Sequence, residues 1–176
     1  HHLPEHGPCP PPYDGPMTFY PSPEDRAYLK GLKSSPYAIF APIAGTPERT
    51  IPPQLQSRIL RSLMEHGIRP VLVGKSLYGR PTAPGSLDLI DKLSVPGTIE
   101  AVRQATVVIA AHSSVLHMAW FAKRPVFLLY PKWVKDVFDK HGPVGYFFGV
   151  NQPTTEHMEF PAFTADRLNR WVGRMI

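Results

Sequence analysis

One cysteine, Cys9, stands in a chain of 176 residues. That excludes an intramolecular disulfide framework and agrees with a reducing compartment. No apolar run approaches the roughly 18 residues that cross a bilayer, and no signal-peptide pattern opens the sequence. The expectation is therefore a cytoplasmic chain without a transmembrane segment. The net charge is +5, yet arginine and lysine form no block of the kind that marks a nucleic-acid-binding tail. The scattered excess permits an anionic ligand and gives no reason to expect nucleic acid. Also missing are a glycine-rich dinucleotide fingerprint, a P-loop, a zinc-ligand set, a nucleophile elbow and an Asp-x-Asp pair. No metal and no bound cofactor are expected.

Proline, in contrast, is abundant at 22 residues, and eight of them fall before residue 24 in "HHLPEHGPCPPPYDGPMTFYPSP". Each removes a backbone donor and locks φ, so this stretch holds neither helix nor central strand. Residues 1–21 read as a linker or surface arm. His1, His2, His6 and Cys9 lie within it at a spacing that matches no common metal-ligand pattern.

Regular signals begin at Ser22, and residues 22–176 read as one domain. "SPEDRAYLKGLK" opens with a capping serine, a proline at the first helical position, and Glu24 and Asp25 in the first turn, which predicts a helix over 23–33. "YAIFAPI" and "RPVLVG" are short apolar runs that predict buried strands at 37–43 and 69–74. Between them, Leu55, Ile59, Leu60 and Leu63 share one helical face, and Gly67 supplies a stop. A loop rich in Gly, Pro and Ser over 75–86 follows, with a short strand within "LDLIDKLSV". Next come a helix in "GTIEAVRQA", a strand in "TVVIAAH", a helix in "SVLHMAWFAK" and a strand in "PVFLLYP". A further turn or two is expected in "KWVKDVFDKHG", and a last helix after the cap Thr164. Strands that are apolar throughout and alternate with helices predict an α/β domain, a Rossmann-like parallel sheet flanked by helices.

Such sheets bind ligands at the carboxyl ends of their strands. Three loops qualify, those after Ile43, Gly74 and Ala111. In the first, Gly45 allows close backbone approach, and Arg49 offers a fixed charge with a forked donor array suited to phosphate. A surface loop with one exposed arginine explains the same residues. The third loop opens a helix, whose first amides lack partners and carry partial positive charge. Ser113 and Ser114 can add hydroxyls, and His112 a charge-assisted bond when protonated. His117 lies one turn further on. The competing explanation is a helix capped by Ser113 and packed by Leu116, Ala119 and Trp120. Glu100 is a candidate for ribose hydroxyls, and Tyr130, Pro131 and Lys132 for the pocket wall. Each also has a plain structural role available to it.

These motifs, over roughly residues 18–140, resemble the C-terminal, donor-binding half of the heptosyltransferase-like glycosyltransferases of the GT-B fold. The family's first-strand loop, "PGA…K-R-W-P", is matched by "PIAGTPERTIPP", with Arg49 at the basic position and Pro52 at the proline. Its later signature, approximately N-D-S-G-x-x-H-x-A-x-A-x-x-x-P, is matched by "AHSSVLHMAWFAKRP" at Ser113, His117, Ala119 and Pro125. The aspartate is His112 here and the glycine is Ser114. The resemblance implies half of a metal-independent, inverting glycosyltransferase. In it, residues 112–117 hold the diphosphate of a nucleotide-diphosphate sugar and Arg49 neutralises the leaving group. The acceptor, a glycan or a lipopolysaccharide-type molecule, and the catalytic base then belong to an N-terminal domain or a partner chain. A module that keeps the fold without turnover is the second reading, since an aspartate has become His112. A hydrolase or epimerase on a similar fold is the third.

Overall fold

A computed structural model describes residues 19–32, 34–78, 84–134 and 154–176 of the chain. Most of the proline-rich arm, the middle of the 75–86 loop and the expected turns beyond residue 134 lie outside the described residues.

The chain forms α1 (Pro23–Lys30), β1 (Tyr37–Ala41), a short 3-10 turn (Pro47–Arg49), α2 (Pro53–Glu65), β2 (Arg69–Leu72), β3 (Leu87–Asp88) and α3 (Val95–Gln104). It continues through β4 (Val107–Ala111), α4 (Ser114–Phe121), β5 (Val126–Tyr130), β6 (Thr155–Glu159), a second 3-10 turn (Phe160–Ala162) and α5 (Ala165–Met175). The strands make one six-stranded sheet in the order β3-β2-β1-β4-β5-β6, parallel at every pairing. This is the expected Rossmann-like α/β fold.

The apolar runs become central strands because both faces of the sheet are covered. Tyr37, Ile39 and Ala41 of β1 pack into a core closed by Leu29 of α1, Ala101 and Val102 of α3, and Leu116, Ala119 and Trp120 of α4. Ala38 and Phe40 point the other way, towards Ile59, Leu60 and Leu63 of α2 and Leu168, Trp171 and Val172 of α5. Every residue of β4 is inaccessible to solvent. At about 1.5–3 kcal/mol for each large apolar side chain buried, these strands supply much of what offsets the entropy of ordering them. α2 ends as its sequence predicts. Gly67 takes φ +68, and the amides of Gly67 and Ile68 return to the carbonyls of Met64 and Leu63 at 2.9 and 3.0 Å, a Schellman turn.

Besides the packing of Leu29, one carboxylate ties α1 to the domain. Ser22 and Asp25 form a reciprocal capping box, and the buried Asp25 side chain also accepts from the amide and hydroxyl of Ser94 at 2.9 and 2.6 Å. Ser94 is itself the N-cap of α3, so Asp25 joins two helix starts. Gly97 lies against that carboxylate so closely that any β-carbon there would clash with it.

Three departures have physical causes. α3 begins at Val95 rather than Gly97, because Ser94 caps it and Pro96 fits its first turn. α1 stops at Lys30, with Gly31 as C-cap. β6 was not foreseen: "TEHME" has one buried residue, Met158, and as an edge strand it is held by its five pairings with β5 and by the Glu156–Arg167 ion pair. Among the described residues no helix is long and apolar enough to cross a membrane.

Candidate functional site

The strand order reverses between β1 and β4. From β1 the chain moves outward through β2 and β3, then returns to lay β4 on the other side of β1. The connections leaving the carboxyl ends of β1 and β4 therefore diverge, and a crevice opens between them, the usual ligand position in a doubly wound sheet. A cleft of about 520 Å³ occupies that place, a volume within the range of small-molecule sites. Its floor is Ile43, Ala44 and Val115. Gly45 and Arg49 reach it from the first loop, Gly74, Lys75 and Leu77 from the second, and His112, Ser113, Ser114 and His117 from the third.

The first loop is stiffened by its own bonds. The Ile51 amide donates to the Pro42 carbonyl at 2.9 Å. The Thr50 hydroxyl accepts from the Ala44 amide at 3.2 Å and donates to the Thr46 carbonyl at 3.1 Å. Arg49 Nε donates to Thr46 Oγ1 at 3.4 Å. A β-carbon at Gly45 would lie 3.0 Å from Arg49 Nη2, so a larger residue there would shift the guanidinium slightly. Tyr78 of the second loop donates its hydroxyl to the Gly45 carbonyl at 3.0 Å.

At the third loop Ser113 is the N-cap of α4 by position, with extended backbone and its carbonyl receiving the Leu116 amide at 3.1 Å. Its side chain makes no capping bond, and the buried Oγ has no hydrogen-bond partner among the described residues. A buried hydroxyl in that state carries a desolvation cost that a ligand acceptor or donor would relieve. Capping therefore does not account for Ser113. His117, one turn into α4, is fixed edge-on against Trp120 at 5.4 Å between ring centroids.

Burial, with the nearby charges of Arg49 and His117, pushes the His112 pKa down to about 4. Burial likewise holds His117 below its ordinary value. His112 is thus a neutral ring at pH 7 in the free protein, not the imidazolium considered from the sequence. Among the described residues lining the cleft there is no carboxylate, while Arg49 and Lys75 contribute two basic side chains. An anion entering it meets positive charge, hydroxyls and the unpaired first amides of an eight-residue helix.

Of the residues singled out in the sequence, Gly45, Arg49, His112, Ser113, Ser114 and His117 come together here. Glu100 does not. Its carboxylate is held by Arg103 through two bonds of 2.8 Å and also receives Gln104. The neighbouring Ala101 carbonyl accepts from the hydroxyl of Tyr37, the first residue of β1. α3 runs antiparallel to the strands at about 1.5 Å per residue, so by residue 100 it has descended to the amino edge of the sheet. Tyr130 turns its hydroxyl to His157 Nδ1 at 3.0 Å, and neither it nor Pro131 or Lys132 lines the cleft. Lys75 was not anticipated. Its signal in the sequence is a lysine immediately after the strand-ending glycine in "VLVGKS".

No family model and no curated protein matches the chain in sequence. Solved structures match it in shape. The ADP-heptose LPS heptosyltransferase II of E. coli superposes with a TM-score of 0.67 at 16% identity, over 95% of this chain and 55% of that one. The glycosyl transferase family 9 protein of Veillonella parvula gives 0.61 at 13% identity, over 86% of this chain and 49% of that one. The E. coli heptosyltransferase WaaC, solved with ADP-2-deoxy-2-fluoro heptose, gives 0.58 at 16% identity, over 86% and 48%. The chain is similar in fold to part of a heptosyltransferase, as the motifs implied, and spans about half the length of these proteins.

Proposed function

We propose that this chain is the donor-binding half of a glycosyltransferase, and that its cleft holds the diphosphate of a nucleotide-activated sugar. The observation that carries the reading is the convergence at the switch point of Arg49, Lys75 and the start of α4, where Ser113 Oγ is buried without a partner among the described residues. The fold likeness adds to it, since one similar structure was solved with a nucleotide-diphosphate sugar.

In such a transfer an acceptor hydroxyl attacks the anomeric carbon and the bond from that carbon to the diphosphate oxygen breaks. Negative charge then grows on the departing nucleoside diphosphate. Arg49 and the amides at the start of α4 are placed to stabilise that charge, a contribution larger in the transition state than in the bound donor. Ser113 and Ser114 offer hydroxyls to the same oxygens. Among the described residues lining the cleft none is a carboxylate, and the proposal assigns the group that takes the acceptor proton to the other half of the site. That half, an N-terminal acceptor domain or a partner chain, is part of this proposal and agrees with the greater length of the similar structures. The single cysteine agrees with a cytoplasmic setting.

Calorimetric titration with nucleoside diphosphates and nucleotide sugars tests the reading, with Arg49→Ala and His117→Ala alongside. Saturable binding to the wild-type chain is expected, weakened about tenfold or more by Arg49→Ala, the loss of one charge-assisted contact. Silence of the wild-type chain towards every nucleotide would sink it.

A further inference from the structure

Residues 74–78 leave β2 along the rim of the cleft and are tied at both ends. At the near end, Gly74 takes φ +127 and its carbonyl accepts from the Asp91 amide at 3.0 Å. Asp91 stands in the left-handed region at φ +62, a conformation that favours glycine and that aspartate enters more readily than most other residues. Its carboxylate receives the Ser76 amide at 3.2 Å and the Ser76 hydroxyl at 2.5 Å. At the far end Tyr78 donates to the Gly45 carbonyl, in the loop that carries Arg49. Lys75 lies between these anchors, and its ammonium is 4.0 Å from Asp91 Oδ1, with the two side chains 65% and 38% exposed. An ion pair that long and that open to water is weak. Lys92, next to Asp91 in sequence, donates its ammonium to the Asp88 carbonyl at 2.7 Å.

We propose that Asp91 is a positioning residue that pins the loop through Ser76 and Gly74 and presents Lys75 to the cleft as a second diphosphate-binding cation beside Arg49. The ligand class rests on the donor-binding reading above. On entry of the diphosphate the ammonium turns from one carboxylate to a dianion, while Asp91 keeps its bonds to Ser76 and the loop stays in place. Two cations on separate loops match the two phosphoryl groups of a diphosphate, where one would serve a monophosphate.

Inorganic pyrophosphate and a nucleoside diphosphate are titrated calorimetrically into wild type, Lys75→Ala, Lys75→Arg, Asp91→Asn and the Lys75→Ala/Asp91→Asn double variant, at two salt concentrations. Lys75→Ala is expected to weaken both ligands about 5- to 10-fold and to flatten the salt dependence, with Lys75→Arg restoring most of the loss. Asp91→Asn keeps an acceptor for Ser76 and frees Lys75, so it should tighten binding two- to threefold, and less than that once Lys75 is alanine. A merely structural Asp91 would lower affinity in both backgrounds alike. Unchanged binding in Lys75→Ala, or an Asp91→Asn effect of equal size in both backgrounds, overturns this inference and leaves the donor-binding reading standing. A wild-type chain that binds neither ligand overturns both. Lys75 variants are expected to keep the wild-type melting temperature, since the side chain is exposed.

Discussion

Binding to the cleft should draw a proton from solution, and His112 sets how much. In the free protein burial and the charge of Arg49 hold its pKa at about 4, against an ordinary 6.5. A bound diphosphate leaves the ring buried but sets a dianion against the charge of Arg49, and that attraction favours the imidazolium. Suppose binding returns the group only to 6.5. The protonated fraction at pH 5.5 is then about ten to one in the complex and small in the free chain, so affinity gains about tenfold between pH 7.5 and 5.5. The sign follows from the shift. A group whose pKa rises on binding strengthens binding as the pH falls through the bound-state value, and the gain levels off near the free-state value. A nucleotide sugar is the suitable ligand, because its diphosphate diester keeps both charges across this range. Calorimetry in two buffers of different ionisation enthalpy counts the protons taken up directly. His112→Gln should remove most of the pH slope while retaining binding at pH 7.5. A wild-type affinity that is flat from pH 7.5 to 5.5, or a slope that survives intact in His112→Gln, would refute the reasoning.

Ser113→Ala separates the two explanations of the helix start. Because Ser113 makes no capping bond, stability in urea should change by less than about 0.5 kcal/mol rather than the ~1 kcal/mol typical of a lost cap, while affinity for the diphosphate falls. A cost above 1 kcal/mol with unchanged affinity would restore the capping role. Gly45→Ala places a β-carbon 3.0 Å from Arg49 Nη2, a contact the guanidinium relieves by a small shift, so it should weaken anion binding by no more than about twofold at an unchanged melting temperature. A larger loss would show that the guanidinium has no room to shift. At Asp25, burial alone would raise the pKa, but bonds from Ser94 and Ser22 outweigh it and hold the group below 3.8. Its stabilisation is therefore present at neutral pH and lost as the pH falls through the lowered value. Asp25→Asn should cost about 2–4 kcal/mol at pH 7, with the gap to wild type narrowing below pH 3.8 in urea melts. A gap that is constant with pH would contradict it.

Where burial dictates residue type, the fold was legible before any coordinates. "YAIFA", "RPVL", "VVIAA" and "VFLLY" are strands buried on both faces, and Ile59, Leu60 and Leu63 mark the inner side of α2. "TEHME" escaped because an edge strand needs only backbone partners and one buried side chain, which leaves no apolar run to see. Residues that follow strands converge because a parallel sheet brings every carboxyl end to one edge. Gly45, Arg49, residues 112–115 and His117 meet for that reason. Glu100 lies apart from the cleft because it sits well into a helix, and depth along a helix moves a residue from one sheet edge to the other. Lys75 was passed over inside a segment whose composition spoke only of a loop. The lowered pKa of His112 depends on packing and on a charge 63 positions earlier in the chain, at Arg49, which no local pattern contains.

The most direct test of the central claim is where a donor binds. In amide-resolved NMR of the wild-type chain titrated with a nucleotide-diphosphate sugar, the account predicts saturable shifts at the amides of Ser114 and Val115, which begin α4, and at Gly45 and Lys75, with α5 unmoved. Saturation accompanied by shifts confined to other faces, or no shifts at any nucleotide concentration reached, would contradict it.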